Sequence, residues 1–221
     1  MIMKHIICIS ILAFAGFTAR AQAINWSSFA ENQKHIANLS TSWDYAATLG
    51  LGYAYRMETK VPAVINAQFS LPAGENFLDD FKAKLGFQVR VFKAGNFQGT
   101  VSLFGIYRQF QSDLARFQNF GSEFSGTIGF YKSRWFVATE IGFDKAIVTR
   151  VKNSDQMRQN YPGVRDGWYV PTGGNFMFTL QAGYSFKIFD LYVKVGKVID
   201  QNLKSSATVP LTGQLGINVR F

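Results

Sequence analysis

The chain ends with residues 213–221, GQLGINVRF, and this stretch alternates in polarity up to its final residue. Leu215, Ile217, Val219 and Phe221 are apolar, whereas the residues between them are polar or small. Successive side chains of a β-strand point to opposite faces, so the pattern predicts a strand whose two faces meet different solvents. Chain ends are normally frayed and polar. A C-terminus that forms a complete amphipathic strand is expected to pair with another strand.

The same period of two recurs along most of the chain. In residues 81–92, FKAKLGFQVRVF, apolar side chains alternate with lysine, glycine, glutamine and arginine. Ten segments are predicted as strands on this pattern: 35–43, 45–57, 61–71, 81–93, 97–111, 122–131, 134–150, 174–186, 189–200 and 210–221. The segment 97–111 is less regular, because Phe104 and Ile106 share a face with Arg108, and a bulge is expected within it. Eight strands, with two segments merged or outside the sheet, are the alternative.

The lengths of the connections separate two architectures that both use alternating strands, a soluble sandwich and a membrane barrel. Short turns near 57–60, 93–96, 132–133 and 187–188 alternate with longer connections near 72–80, 112–121, 151–173 and 201–209. Membrane barrels combine tight periplasmic turns with longer external loops, whereas a Greek-key sandwich has no reason to do so. The sequence therefore predicts an all-β, transmembrane, antiparallel up-and-down β-barrel of about ten strands. Its apolar faces would contact lipid and its polar faces would line the lumen.

The terminal strand and this layout resemble the bacterial outer-membrane β-barrel proteins, whose last strand typically alternates and ends in Phe. The resemblance covers most of residues 35–221, and the AQA at 21–23 with the Tyr and Phe richness is similar to small barrels of Bacteroidota. A barrel must pair its last strand with its first, because an open edge in lipid leaves backbone groups unsatisfied. The resemblance implies that Phe221 lies at the periplasmic interface and belongs to the signal read by the barrel-assembly machinery.

The first 23 residues have the order of a secretory signal peptide. Basic Lys4 precedes an apolar stretch at 6–17, and two small-x-small sites follow at 19–21 and 21–23. The apolar stretch is too short to span a membrane as a helix. The predicted organisation is a signal peptide at 1–23, a short periplasmic or lumen-tucked lead-in at 24–34 and a barrel at 35–221. The expected location is the bacterial outer membrane, within outer-membrane lipid.

Composition narrows the chemistry of the exported chain. Cys8 is the only cysteine and leaves with the signal, so disulfides, thiol catalysis and cysteine-metal sites are not expected. The net charge is +9, and loss of Lys4 and Arg20 with the signal leaves +7. An exported, aromatic-rich chain with scattered charge is not expected to bind nucleic acid. His35 is the remaining histidine, and although Ser40 and Ser42 are near in sequence, no third group completes a hydrolytic site.

These observations favour a non-enzymatic role without cofactor or metal. The predicted function is structural or binding, for example as an accessory subunit that contacts a protein partner in a larger envelope complex. The alternative is a narrow channel for small solutes, because eight to ten strands leave a lumen just wide enough for side chains to fill. The third and less favoured hypothesis is a lipid-modifying or proteolytic barrel enzyme. It is disfavoured because His35 is the single histidine of the exported chain.

Charged side chains in the lumen phase form the first group of candidate residues. Glu140 and Asp144 lie on one strand about 13 Å apart, which is too far for a paired glycosidase site. Six cations share the inward phase and are the expected partners of these carboxylates: Lys82, Lys84, Arg90, Arg108, Lys194 and Arg220. Buried carboxylates are costly without cations, so an internal ion-pair network is predicted. The alternative is a selectivity ring or gate.

The connection at 151–173 is the longest and forms the second group of candidate residues. Long loops on a rigid barrel often carry recognition, and arginine combined with aromatic residues suits anionic sugars or a protein partner. The predicted recognition residues are Arg158, Tyr161, Arg165, Trp168 and Tyr169. The alternative is that Trp168 and Tyr169 belong to the outer aromatic girdle of the barrel.

Overall fold

The computed structural model describes residues 22–43, 47–72, 79–203 and 206–221. Within these ranges, eleven strands and one short helix follow one another as β1 (His35–Trp43), β2 (Ala47–Met57), β3 (Ala63–Pro72), β4 (Phe81–Ala94), β5 (Phe97–Gln111), β6 (Ala115–Tyr131), β7 (Trp135–Asn153), α1 (Asp155–Asn160), β8 (Gly167–Tyr169), β9 (Gly174–Phe186), β10 (Phe189–Asp200) and β11 (Ser206–Arg220). Among the described residues, no helix is both long and apolar enough to cross a membrane.

Ten of the strands form a closed antiparallel barrel. Consecutive strands pair from β1 to β7, β7 pairs with β9, and the ring continues through β10 and β11. It closes where β11 pairs with β1, from Ile36 opposite Arg220 to Trp43 opposite Gly213. The three-residue β8 pairs only with the end of β7, above the ring. The prediction of an up-and-down barrel with ten strands is confirmed, and the eight-stranded alternative is wrong.

The barrel is apolar outside and polar inside. Leu51, Leu85 and Leu180 are 58%, 64% and 66% exposed on the outer wall, whereas Lys82 and Lys194 on the inner wall are each 1% exposed. Exposing so large an apolar band to water would be strongly unfavourable, because monomeric soluble proteins rarely carry large contiguous apolar patches. The surface matches a lipid environment, so the chain is a membrane barrel and not a soluble sandwich.

Two aromatic girdles bound the apolar band. The outer girdle runs Phe69, Phe81, Tyr107, Phe120 and Trp168, with successive ring centroids 5.5, 5.6, 5.1 and 6.2 Å apart. The second girdle lies at the end that carries the short turns and Phe221, called the turn end below; the opposite end is called the loop end. Rings of the second girdle include His35, Tyr53, Tyr55, Phe97, Phe130, Trp135, Tyr184, Phe186, Phe189 and Phe221. Such girdles mark the two membrane interfaces.

The prediction of a long loop at 112–121 is wrong. Residues 112–114 form a tight turn, in which the amide of Ser112 donates to the carbonyl of Ala115 at 2.9 Å. β6 therefore begins at Ala115 instead of residue 122, and β7 continues to Asn153. Together with the end of β5 and with β8 they form a flap that extends past the outer girdle. Outside the apolar band no lipid contact requires alternation, so the pattern in residues 115–121 is too weak to predict a strand.

The prediction of a bulge within 97–111 is also wrong. β5 keeps a continuous register with β6, and Phe104 and Ile106 point into the lumen, where they are 0% and 4% exposed. The register shifts lie elsewhere, at Val91 in β4, at Ile147 in β7 and between Lys197 and Ile199 in β10. The apolar residues at lumen-facing positions of β5 thus pack inside the barrel, and the inward–outward alternation of the strand continues without interruption.

Phe221 closes the seam between the last and first strands. Its carbonyl accepts from the amide of His35 at 2.8 Å, its amide donates to the His35 carbonyl at 3.0 Å, and its ring stacks on His35 at 5.4 Å.

Deleting residues 219–221 is expected to lower the amount of assembled barrel severalfold without altering export, because the seam loses these bonds. Heat-modifiability of the membrane fraction on gels measures assembly. Phe221→Tyr, which keeps the ring, is the control; normal assembly of the truncated chain would contradict the expectation.

Candidate functional site

Buried ion pairs cross the inner wall of the barrel. Lys84 Nζ lies 2.6 Å from Glu123 Oε2, and both side chains are almost completely buried. Arg108 pairs with Asp144, and Lys82 Nζ approaches the same carboxylate at 3.9 Å. Two further pairs lie nearer the turn end, Lys194 with Glu140 at 3.0 Å and Arg220 with Asp190 at 3.1 Å. Most of the predicted lumen residues therefore meet in ion pairs.

The Arg220–Asp190 pair joins the adjacent strands β11 and β10, whereas three of the other pairs skip a strand. Lys84 on β4 reaches across β5 to Glu123 on β6, Arg108 on β5 reaches across β6 to Asp144, and Lys194 on β10 reaches across β9 to Glu140. Two interstrand steps amount to about 10 Å, so the side chains lie flat over the intervening strand. Each of these three pairs braces three consecutive strands against one another.

The sequence prediction missed two members of this network, Glu123 and Asp190, and it included Arg90, whose described contacts are of another kind. Glu123 and Asp190 are lumen carboxylates that the alternation of β6 and β10 could have identified, because they share the phase of Ser125 and Lys194. Arg90 is half-buried at the turn end and has a different environment from the other cations. Its guanidinium donates to Gln98 Oε1 at 3.3 Å and lies 5.8 Å from the centre of the Trp26 ring.

Residues 22–29 enter the lumen from the turn end and are called the N-terminal plug. Ile24 and Trp26 pack against Ile36, Ala54 and Val64 on the inner wall. This contact explains why apolar residues occupy the lumen phase at the start of β1 and β3. The plug therefore replaces water over the part of the lumen that is apolar.

Hydrogen bonds fix the N-terminal plug to opposite sides of the barrel. The Asn25 amide donates to the Lys132 carbonyl and to Ser185 Oγ, both at 2.9 Å. Asn218 on β11 donates to the carbonyl of Ala23 at 2.7 Å, and Gln98 on β5 donates to Ser27 Oγ at 2.5 Å. Because its partners lie on opposite walls, the plug spans the lumen.

Aromatic rings pack beside the plug inside the lumen. Tyr131 and Phe136 stack at 5.4 Å, and both pack in one cluster with Ala23 and Tyr192. The rings of Phe136 and Tyr192 lie over glycines of the neighbouring strands: a Cβ at Gly183 would come within 2.2 Å of Phe136, and one at Gly216 within 2.3 Å of Tyr192. Glycine in these strands is therefore required by the close approach of a ring.

The predicted recognition loop is an ordered structure at the loop end. Ser154 caps α1 by accepting from the amide of Met157 at 3.2 Å. Asp166 accepts from the amide and the side chain of Asn153 at 2.8 and 2.9 Å, and from Arg158 at 2.8 Å. The bond from the Asn153 amide is the main reason that the pKa of Asp166 lies below its ordinary value. The carboxylate ties both ends of the loop together.

A cavity of about 420 Å³ lies between this loop and the end of β7. Arg165 and Tyr169 line it together with Val151, Asn153, Gly163 and Val164. The Tyr169 hydroxyl donates to the Arg165 carbonyl at 2.8 Å, which fixes the two residues relative to each other. Of the five predicted recognition residues, these two are brought together on one concave surface.

The other three predicted recognition residues have different positions. Arg158 is held by Asp155 at 3.0 Å and by Asp166. Tyr161 is 39% exposed at the end of α1. Trp168 faces outward and packs on Phe120, so it lies in the outer girdle and not on the cavity. The alternative prediction placed both Trp168 and Tyr169 in the outer aromatic girdle. It describes the position of Trp168, whereas Tyr169 lines the cavity.

His35 and the nearby serines lie on opposite faces of β1. His35 is in the girdle at the turn end, where Nδ1 lies 2.6 Å from the Tyr53 hydroxyl. Ser40 and Ser42 are buried on the lumen face. A Ser–His pair cannot form from these residues. Within the described part of the chain, no group of three His, Cys, Asp or Glu side chains is arranged to hold a metal ion.

No family model and no curated protein matches this sequence. Solved structures similar to the chain include the KdgM porin, with a TM-score of 0.43, 8% identity and coverage of 84% of this chain and 99% of that chain. The translocator domain of autotransporter NalP from Neisseria meningitidis has a TM-score of 0.42, 11% identity and coverage of 99% and 95%. The beta domain of the Bordetella autotransporter BrkA has a TM-score of 0.40, 10% identity and coverage of 86% and 99%.

Proposed function

We propose that this chain is a non-enzymatic, non-conducting barrel of the bacterial outer membrane, with a structural or binding role as an accessory subunit of an envelope complex. In this orientation the turn end faces the periplasm and the loop end faces outward. The signal-like first 23 residues and the two aromatic girdles support this location.

The N-terminal plug carries the proposal of a closed lumen. It packs on the inner wall through Ile24 and Trp26 and is bonded to opposite walls through Asn25 and Ala23. Tyr192 and Phe136 pack against Ala23 of the plug, and buried ion pairs lie farther along the inner wall. A diffusion pathway needs a continuous polar passage, and these contacts support the proposal that such a passage is absent.

The ordered loop supports the binding role. The cavity beside Arg165 and Tyr169 is an open depression whose lining combines a guanidinium with an aromatic ring. Such a surface suits an anionic sugar or a protein side chain that carries an acid. Placed on the outward side of a closed barrel, it would hold a ligand without transporting it.

Conductance in planar bilayers tests the closed lumen. The wild-type barrel is expected to show no resolvable single-channel steps. The proposal holds that the plug and the rings packed beside it exclude water from the lumen. The variant Asn25→Ala/Trp26→Ala is expected to flicker open, because it loses the bonds to Lys132 and Ser185 and the apolar contact with the wall. Glu31→Ala, an exposed change two residues beyond the plug, is the control.

Binding is measured with the same preparations. Replacing residues 154–166 with Asn-Gly keeps β7 and β8 paired but removes the cavity, and proteins that co-purify in mild detergent should then be lost. Steady conductance of the wild type would overturn the closed barrel in favour of the narrow channel. An unchanged partner profile after loop replacement would remove the support for a binding role.

A further inference from the structure

Three cations form a patch on the outward face of the flap. Arg116 on β6 is paired directly opposite Lys152 on β7, and Arg150 lies two residues before Lys152 on the same face. Trp168 on β8 is paired with Arg150, whose guanidinium lies 5.8 Å from the centre of the indole ring. All three cations are exposed. We call Arg116, Arg150 and Lys152 the outward cation patch.

The arrangement within the patch is electrostatically unfavourable on its own. Like charges placed directly opposite each other on paired strands destabilise a sheet. Among the described residues, none of the three cations forms an ion pair with a carboxylate, and Arg116 Nε instead donates to Gln111 Oε1 at 2.6 Å. The nearby Asp166 is already bonded to Arg158 and Asn153. A bound anion would remove the repulsion.

The depth of the patch relative to the membrane indicates what kind of anion can reach it. Phe120 and Trp168 belong to the outer girdle, and girdle rings lie at the level of the lipid headgroups. Arg150 is one outward-facing position beyond Phe120, and Arg116 with Lys152 is two positions beyond it. With a rise of about 3.3 Å per residue and a tilt of about 40°, the cations lie roughly 5–10 Å beyond Phe120 along the membrane normal. Phosphate groups of the lipid lie in this layer.

We propose that the outward cation patch binds a phosphate group of a phosphorylated glycolipid in the outer leaflet; this inference rests on the proposed orientation in the outer membrane. The patch faces sideways toward lipid and not toward the lumen or the cavity, and its apolar continuation toward the membrane is Phe120 and Phe124, which acyl chains can cover. Arginine guanidinium groups donate to phosphate oxygens in bidentate fashion. The stacking on Trp168 orients Arg150 while leaving its N–H edge free for this bond.

Binding of lipid A, a diphosphorylated glycolipid, to the full barrel in detergent tests the proposal. The triple variant Arg116→Gln/Arg150→Gln/Lys152→Gln is expected to bind lipid A on the order of 100-fold more weakly than wild type, since each cation near an anionic lipid surface contributes about a factor of ten or somewhat less. The control is Lys60→Gln/Lys93→Gln/Lys132→Gln, which removes the same charge from the turn end. It contains a matched stacked cation, because Lys132 lies 5.6 Å from the Trp135 ring centre.

Two further ligands identify the source of the phosphate. Dephosphorylated lipid A should bind wild type as weakly as lipid A binds the triple variant, and inorganic phosphate at millimolar concentration should not displace lipid A. Equal binding of both lipids to wild type, or equal loss in the control, would overturn the proposal. Displacement by inorganic phosphate would also overturn it and would assign the patch to a soluble anion. Heat-modifiability shows that each variant is folded, and conductance separates this result from the test of the closed lumen.

Discussion

Replacing Lys84 with methionine is expected to destabilise the barrel by about 3–5 kcal/mol, because it leaves a carboxylate buried without its cation. The Glu123 side chain is 3% exposed and lies 2.6 Å from Lys84 Nζ. Methionine retains most of the volume and can pack on the Phe104 ring, over which Lys84 now lies at 5.3 Å. The loss of unfolding free energy therefore measures the effect of removing the charge and not the effect of creating a cavity. Urea unfolding in lipid vesicles measures the free energy of unfolding.

The double variant Lys84→Met/Glu123→Gln is the decisive comparison. It removes both charges and is expected to recover most of the lost stability, because replacing a buried pair by neutral groups is often close to neutral. Lys34→Met, which breaks an exposed pair with Glu58 at the turn end, should leave the unfolding midpoint almost unchanged. Equal destabilisation by the single and double variants would show that packing, and not the ion pair, holds this region.

Replacing Leu85 with arginine is expected to cost about 2–4 kcal/mol, because the side chain lies on the outer wall between the two girdles. Leu85 is 64% exposed on the surface assigned to lipid. The matched control is Phe97→Arg at the turn-end girdle, where Phe97 is 55% exposed and an arginine should cost about 0–1 kcal/mol. The same unfolding measurement checks both. Equal costs would mean that the outer wall has no depth-dependent apolar environment and that the facing is wrong.

Residues within the apolar band were predictable because lipid imposes a strict pattern on them. β4 and β9 begin where the alternation begins, at Phe81 and Gly174. Beyond the girdle the constraint disappears, and the start of β6 at Ala115 was missed. The flap is held by cross-strand pairs such as Arg108 with Asn119 at 3.0 Å, which alternation cannot predict.

The lumen was predictable in composition but not in geometry. Alternation identified which cations point inward, yet the pairing of Lys84 with Glu123 depends on the stagger between β4 and β6. That stagger is a property of the closed ring. Phe104 in the lumen phase of β5 was interpreted as an irregularity, although it was a signal that the interior is packed.

The pairing of β1 with β11 joins strands that lie at opposite ends of the barrel sequence, and this separation affects how the barrel folds. Ile36 and Arg220 are more than 180 residues apart, so bringing them together costs about 4–5 kcal/mol of chain entropy that local hairpins do not incur. Contacts this distant in sequence slow folding. The same final strand supplies Asn218, which holds the carbonyl of Ala23. Ring closure and fixation of the N-terminal plug therefore both depend on β11, the strand of the barrel that lies farthest in sequence from β1.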